Sequence, residues 1–450
     1  MDIKKLYPKT KLNIEINGIT NNPFEVKENY IFVLTTKSKN EHLLIKEAIN
    51  NKASLIISNK TRYLSIPHFK TKNPKKEYIR LLKLFYHYTP IYTVGVVGNN
   101  GNEIITNILN NVFSKFDLSA YINNNEINYL NRHYKTKNYL NTIFPCYKVF
   151  NNHNIKNVTI NLDNKSIINN DIKDLDLNGI IFSNLEYRYS NIGKELYRLF
   201  HMKNQLFTNI KSDTLLIMNA DDLYSNFIPK YSKNKIITYG INKGIYQAKN
   251  IKLYYNKCEF DVYYKDIYLT NINVPLFGTN NIYNSLAVIS YTNELGIPLE
   301  IIKDGIESIN TKQYFNCYTN FNNITKLATT STNPYILKNT LLDIKKLKKG
   351  KIISIINSNE NIDEVTLNDL GVISTTYSDI TIFTSSDNIF NNLLNLTNNV
   401  ISKDYYICID NNEAIKLADK IVNNNDIILM FGNNKDLSIN INPSNISASI

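Results

Sequence analysis

Tyr92-Thr93-Val94-Gly95-Val96-Val97-Gly98-Asn99-Asn100-Gly101-Asn102-Glu103 is the stretch that decides the fold. The run up to Gly98 predicts a short buried strand, the glycines after it a turn, and the residues from about Glu103 to Phe113 a helix. Strand-like apolar runs alternate with helical stretches on both sides, which predicts an α/β architecture with mainly parallel sheets. Upstream, 30–33 and 54–58 read as strands and 41–50 as an amphipathic helix. Downstream, strands are expected at 158–162, 179–182, 215–219 and 236–239, an alternating antiparallel hairpin at 250–275, and a helix over about 281–295. A last, Rossmann-like succession offers strands at 351–356, 380–383, 405–409 and 426–431, with a helix at 412–423. These readings divide the chain into units 1–90, 91–312 and 313–450.

Composition narrows the function classes. Of the 450 residues 43% are hydrophobic, a globular proportion. No run approaches the roughly 18 apolar residues that span a bilayer, and Met1 to Lys9 contain no apolar signal core, so a cytoplasmic location is expected. The four cysteines (Cys146, Cys258, Cys317 and Cys408) are far apart, and no two histidines stand four residues apart, which argues against zinc and disulfide sites. A net charge of +12 would suit a nucleic-acid partner if the lysines gathered on one face with interleaved aromatics. Apart from short runs such as Lys345-Lys346-Leu347-Lys348-Lys349 they are scattered. Abundant Lys, Asn, Ile and Tyr beside 14 Gly, 11 Pro and no Trp is the signature of an AT-rich genome. Asn123 to Asn125 and Asn423 to Asn425 then read as loop filler.

The segment Gly95 to Glu103 resembles the phosphate loop G-V-T-G-T-N-G-K-T-T of the Mur ligases, and further landmarks follow in family order. Phe182-Ser183-Asn184-Leu185 resembles F-T-N-L, Lys203-Asn204-Gln205-Leu206-Phe207 resembles A-K-x-x-L-F, and Asn219-Ala220-Asp221-Asp222 resembles N-x-D-D. Thr238-Tyr239-Gly240 resembles the t-Y-G strand end. Gly278 with Asn281-Ile282-Tyr283-Asn284 resembles G-x-F-N-v-y-N, and Gly296-Ile297-Pro298 follows it. With Gly18-Ile19-Thr20 upstream, and Ser385-Ser386-Asp387-Asn388 and Asp426 to Gly432 downstream, the resemblance covers nearly the whole chain and is nearest to the MurE type. It implies a three-domain fold: a MurE-like amino-terminal domain, a central domain with a P-loop-type, mainly parallel sheet, and a Rossmann-like carboxy-terminal domain.

The resemblance implies amide-bond formation in which ATP and Mg²⁺ activate a carboxylate of a UDP-linked muramoyl peptide for attack by an amino acid. Such transfer relies on positioning and on neutralising phosphate charge. The residue types that would do this are changed. Asn102 stands where the family has the phosphate-binding Lys, and Glu103 and Ile104 stand where it has two Thr. Glu103 sets a carboxylate against a polyphosphate; the segment reads more readily as a strand–turn–helix corner kept for packing. Asn161 and Tyr189 replace a metal-binding Glu and His, and an amide and a phenol suit Mg²⁺ poorly. Lys203 aligns with the family's carbamylated Lys, or is a solvated helix-face lysine. Asn21-Asn22-Pro23 replaces D-S-R, Tyr314-Phe315-Asn316-Cys317 replaces G-R-x-E, and Thr329 to Pro334 replaces D-Y-A-H-x-P. Asp387-Asn388-Ile389-Phe390 lacks the Arg of D-N-P-R, and Gly432 to Asp436 replaces G-K-G-H-E.

What remains as a nucleotide-site remnant is Gly98, Asn100, Gly101, Asn281 and Asn284; for Asn281, helix capping is an equal reading. No catalytic or metal-binding set is expected, and no cofactor. The leading expectation is a noncatalytic Mur-ligase-like scaffold or regulator with a protein partner or a UDP-linked muramoyl peptide. The alternative is an active ligase with a remodelled site using ATP and Mg²⁺, for which Lys165 and Arg188 are the replacement cations. A nucleic-acid binder is the third reading, and the scattered lysines oppose it.

Overall fold

The computed structural model describes residues 1–36, 40–123, 126–130, 132–135, 139–162, 175–184, 207, 210–222, 225, 232–310, 315–319, 323–358, 362–385, 390–397, 400 and 405–432. Contacts group these into two compact units, Met1–Val94 with Asp117–Asn178, and Gly95–Phe116 with Gly179–Ile450.

The first unit opens with four parallel strands, β1 (Gly18–Thr20), β2 (Tyr30–Val33), β3 (Ala53–Ser58) and β4 (His68–Lys70), in that spatial order. Their two-residue period sorts side chains by face. Ile31, Val33, Leu55 and Ile57 pack with Tyr78, Leu81 and Leu82 of the helix Pro74–Phe85; Phe32 and Ile56 pack with Ile45 and Ala48 of the helix Glu41–Asn50. The Pro74–Phe85 helix starts where Asn73 accepts from Lys76 N and Pro74 presets the first turn. Strand β5 (Tyr92–Val97) follows, buried along nearly its whole length.

Later in the same unit come β6 (Ser119–Asn123), β7 (Glu126–Tyr129), β8 (Arg132–Lys135) and β9 (Asn157–Asn161), ordered β9-β6-β7-β8. Only the β6/β9 pair is parallel. Asn123, read from the sequence as loop, is the last residue of β6 and accepts from Asn161 Nδ2 at 2.8 Å. Alternation supplies the reason: Ala120 and Ile122 point to one face, so Asn123 takes its place on the polar one.

In the second unit the helix Asn102–Phe116 leaves the loop after β5. Strands β10 (Gly179–Phe182), β11 (Leu215–Asn219) and β12 (Ile236–Gly240) are parallel. They continue into β13 (Tyr246–Tyr254), β14 (Lys257–Tyr264) and β15 (Ile267–Val274), a three-strand antiparallel meander where one hairpin was expected. Gly179 lies so close to the ring of fully buried Tyr291 that an added Cβ would sit 2.3 Å from it.

The carboxy-terminal sheet is ordered β16 (Phe315–Thr319), β17 (Thr325–Thr329), β21 (Ile427–Phe431), β18 (Ile352–Ser358), β19 (Ile380–Ser385), β20 (Tyr405–Ile407). All pairs but β16/β17 are parallel, and the order reverses between β18 and β21, as in doubly wound folds. One face buries Ile352, Ile356, Leu429 and Phe431 under Leu337, Leu341 and Ile344 of the helix Pro334–Leu347; the other buries Ile353, Ile355 and Ile428 with Ala414 and Ala418. The helix Glu364–Tyr377 crosses the helix Phe390–Thr397 with Gly371 directly against the carbonyl oxygen of Leu396.

Candidate functional site

A cavity of about 790 Å³ opens within the second unit. Its floor is the loop between β5 and the helix Asn102–Phe116. Gly101 takes φ +80°, a left-handed conformation that favours glycine. A Cβ on Gly98 would sit 1.8 Å from Ser183 Oγ. The loop's inner groups bond to the chain itself. Asn102 Nδ2 donates to Gly98 O at 3.1 Å, and Ser183 Oγ lies 3.0 Å from Asn102 Oδ1 and 2.9 Å from Asn100 O. The amides of Asn99 and Asn100 both donate to Asn184 Oδ1, at 3.2 and 3.1 Å.

The second wall comes from the β11 and β12 ends. Asp221 accepts from the amides of Ile241, Asn242 and Lys243 at 2.7, 2.9 and 3.0 Å and from Tyr283 Oη at 2.9 Å. Burial, and then the neighbouring Asp221 charge, push the Tyr283 phenol well above the ordinary tyrosine range. Tyr239 Oη donates to Phe182 O at 3.3 Å, and burial pushes its phenol up as well. The N-x-D-D turn, the t-Y-G strand end and Tyr283 thus meet at one carboxylate.

The third wall is the start of the helix Thr279–Glu294. Gly278, at φ +99°, is its N-cap; Asn281 is not. Two residues into the helix, Asn281 instead turns its Nδ2 back to Phe277 O at 2.8 Å and accepts from Asn284 Nδ2 at 3.1 Å. Both amides are buried. The fourth wall is Thr329 to Asn333 and the polar face of the helix Pro334–Leu347.

Of the residues singled out from sequence, Asn100, Gly101, Asn281 and Asn284 line this cavity, and Gly98 sits beneath it against Ser183. Lys203, Lys165, Arg188 and Tyr189 lie outside the described residues, as do 386–389 and 433–436. Asn161 ends β9 in the first unit, its amide engaged with Asn123. Sequence reasoning passed over Asn333, Asn339 and Asp343. Asn333-Pro334 carried a usable signal, an N-cap residue before a first-turn proline: Asn333 Oδ1 accepts from Tyr335 N at 2.9 Å while its Nδ2 donates to Asn100 Oδ1.

Among the described residues, the lining includes Glu103, Asp221, Asp222 and Asp343 and one cation, Lys338. A polyphosphate with Mg²⁺ needs an ammonium on the phosphates and a hydroxyl on the metal. Among the described loop residues an amide, Asn102, and a carboxylate, Glu103, hold those two positions. Among the described residues no three His, Cys, Asp or Glu side chains gather to hold a metal ion, and no helix is long and apolar enough to cross a membrane.

Residues 96–292 match the Mur ligase middle domain. Over 436 residues the chain is 22% identical to a UDP-N-acetylmuramoyl-L-alanyl-D-glutamate–2,6-diaminopimelate ligase of Caldanaerobacter subterraneus subsp. tengcongensis, covering 93% of this chain and 90% of that one. It is 26% identical to the ligase so named in Clostridium botulinum, over 450 residues and with the same coverage. Among solved structures, a ligase of this name superposes with a TM-score of 0.69 at 15% identity, covering 96% and 93% of the two chains. MurF ligase from Thermotoga maritima in complex with ADP gives 0.63 at 15%, covering 92% and 93%. The fold is therefore the multi-domain α/β fold of these enzymes, and residues 96–292 of the chain carry the match to the Mur ligase middle domain.

Proposed function

We propose that this Mur ligase homologue performs no ligation and serves peptidoglycan precursor synthesis as a scaffold or regulator. The observation that carries the reading is Asn102. Its side chain reaches back to Gly98 O and Ser183 Oγ, so the position from which a lysine would meet the β/γ-phosphates belongs to the loop's own hydrogen bonds. Glu103, next along, faces the same cavity with a negative charge. Removing one preorganised transition-state donor costs roughly 10²–10³ in rate, and here several are exchanged together. In this reading the working domains are 1–90, 91–312 and 313–450, the protein acts in the cytoplasm, and its partner is another protein or a UDP-linked muramoyl peptide.

Isothermal calorimetry with Mg-ATP at physiological salt tests it. No heat is expected up to about 1 mM, an affinity worth only about −4 kcal/mol. A micromolar dissociation constant would overturn the reading. A second reading, an active ligase with a remodelled site, is favoured by relatives that align over nine-tenths of their length and bear ligase names. ADP release dependent on both a UDP-muramoyl dipeptide and an amino acid would establish it.

A further inference from the structure

The helix Pro334–Leu347 meets the cavity through side chains spaced three and four residues apart, Ile336, Asn339, Thr340 and Asp343, which share one helical face. Its other face, Leu337, Leu341 and Ile344, is buried in the carboxy-terminal core. The polar face is bonded across the cavity at three places. Asn333, the N-cap, donates to Asn100 of the phosphate loop. Asn339 Nδ2 donates to Asn280 Oδ1 at 3.0 Å. Asp343 accepts from Thr279 N and from Thr279 Oγ1, each at 2.7 Å, and from Lys346 Nζ at 2.8 Å.

Thr279 is the first residue of the helix Thr279–Glu294, and its N-cap, Gly278, has no side chain to cap it. The first amides of a helix carry a partial positive charge and attract anions. Here the anion comes from the chain: Asp343 is 3% exposed and its carboxylate sits on that terminus. We propose that Asp343 is an internal anion that latches the helix Pro334–Leu347 onto the helix Thr279–Glu294 and so holds two walls of the cavity together. The inference stands apart from the reading of ATP chemistry above, because it concerns what keeps two walls together and not what enters between them.

Hydrogen exchange of the full-length protein, followed by mass spectrometry, tests the latch. In Asp343→Ala, peptides covering 279–287 and 334–347 are expected to exchange at least about tenfold faster, and together, while peptides from β1 to β4 stay unchanged. Asp343→Asn keeps the volume and removes the charge, and should move with the alanine variant. If it exchanges like wild type the carboxylate charge plays no part and the proposal fails. It fails equally if only 334–347 loosens. Should Asp343→Ala not fold, Thr279→Val removes one of the two bonds alone. A rise of about threefold in the same two segments is then expected, and no rise overturns the latch.

Discussion

Asn102 and Glu103 show what one side chain can and cannot change. Replacing them by Lys and Thr adds one positive charge and removes one negative charge beside the loop, and frees Gly98 O from the Asn102 amide. Charge-assisted hydrogen bonds are worth roughly 1.5–3 kcal/mol, and about 1.4 kcal/mol is tenfold in affinity. The double variant should therefore bind Mg-ATP at least about tenfold more tightly than wild type in calorimetry, and still not ligate; equal affinities would mean that the loop cannot receive phosphate at all. Gly101 supplies a stability test. At φ +80°, with a Cβ that would stand 2.4 Å from Asn284 Oδ1, Gly101→Ala should cost about 1–3 kcal/mol in urea unfolding. A cost under about 0.5 kcal/mol would show that the loop is not held as described. At this scale the sequence pointed to a loop and two asparagines, Asn281 and Asn284, that line the cavity, since identity at a position is all such a reading needs. It could not show what Asp343 and Asn333 bond to, because their partners lie 64 and 233 residues away and no local pattern connects them.

Elements were more legible than residues, for a physical reason. Strands such as 179–182 and 427–431 are continuous apolar runs, and a parallel strand buried on both faces reads that way. Asn123, at the end of β6, resembled loop filler until its strand partners supplied a face. The 281–295 helix was found about two residues late at its start, because a glycine N-cap leaves no side-chain signal to read. Two glycines separate the ways in which an element can resist change. Gly371→Ala would force a methyl to 1.8 Å from the backbone oxygen of Leu396, which no rotamer can relieve, and overpacking of this kind typically costs about 1–3 kcal/mol. Gly296 ends the helix Thr279–Glu294 at φ +77° in open space, so Gly296→Ala should meet the backbone term alone, about 1 kcal/mol. Chemical denaturation should rank Gly371→Ala as the costlier; the reverse order would refute the close crossing of the two helices.

For the whole molecule, the composition read as genomic bias has a measurable outcome. Tyr147, Tyr239 and Tyr246 are all at most 1% exposed, and burial raises each phenol above the ordinary value near 10. The sign follows from linkage. Below about pH 10 these groups are protonated whether the chain is folded or not, and stability is complete. As pH climbs past about 10 the unfolded chain ionises first, and each phenol withdraws about 1.4 kcal/mol per pH unit until the folded group titrates. Cys146 and Cys258, pushed up to about 12 by burial, begin the decline near pH 8.5. Urea midpoints should be level from pH 7 to 8 and fall steeply between pH 10 and 11. A level profile to pH 11 would mean that these side chains are not buried as described.

Gly179 and Tyr291 constrain how such a chain can have changed over time. Tyr291 is fully buried and has no room to swing away, unlike half-buried Tyr30, whose ring stands as close to Gly18. A drift toward tyrosine codons could fill position 291 only once position 179 had lost its side chain. Afterwards the glycine could not revert without expelling the ring. The two sites are therefore locked in order, and a homologue with a larger residue at 179 must carry a smaller one at 291.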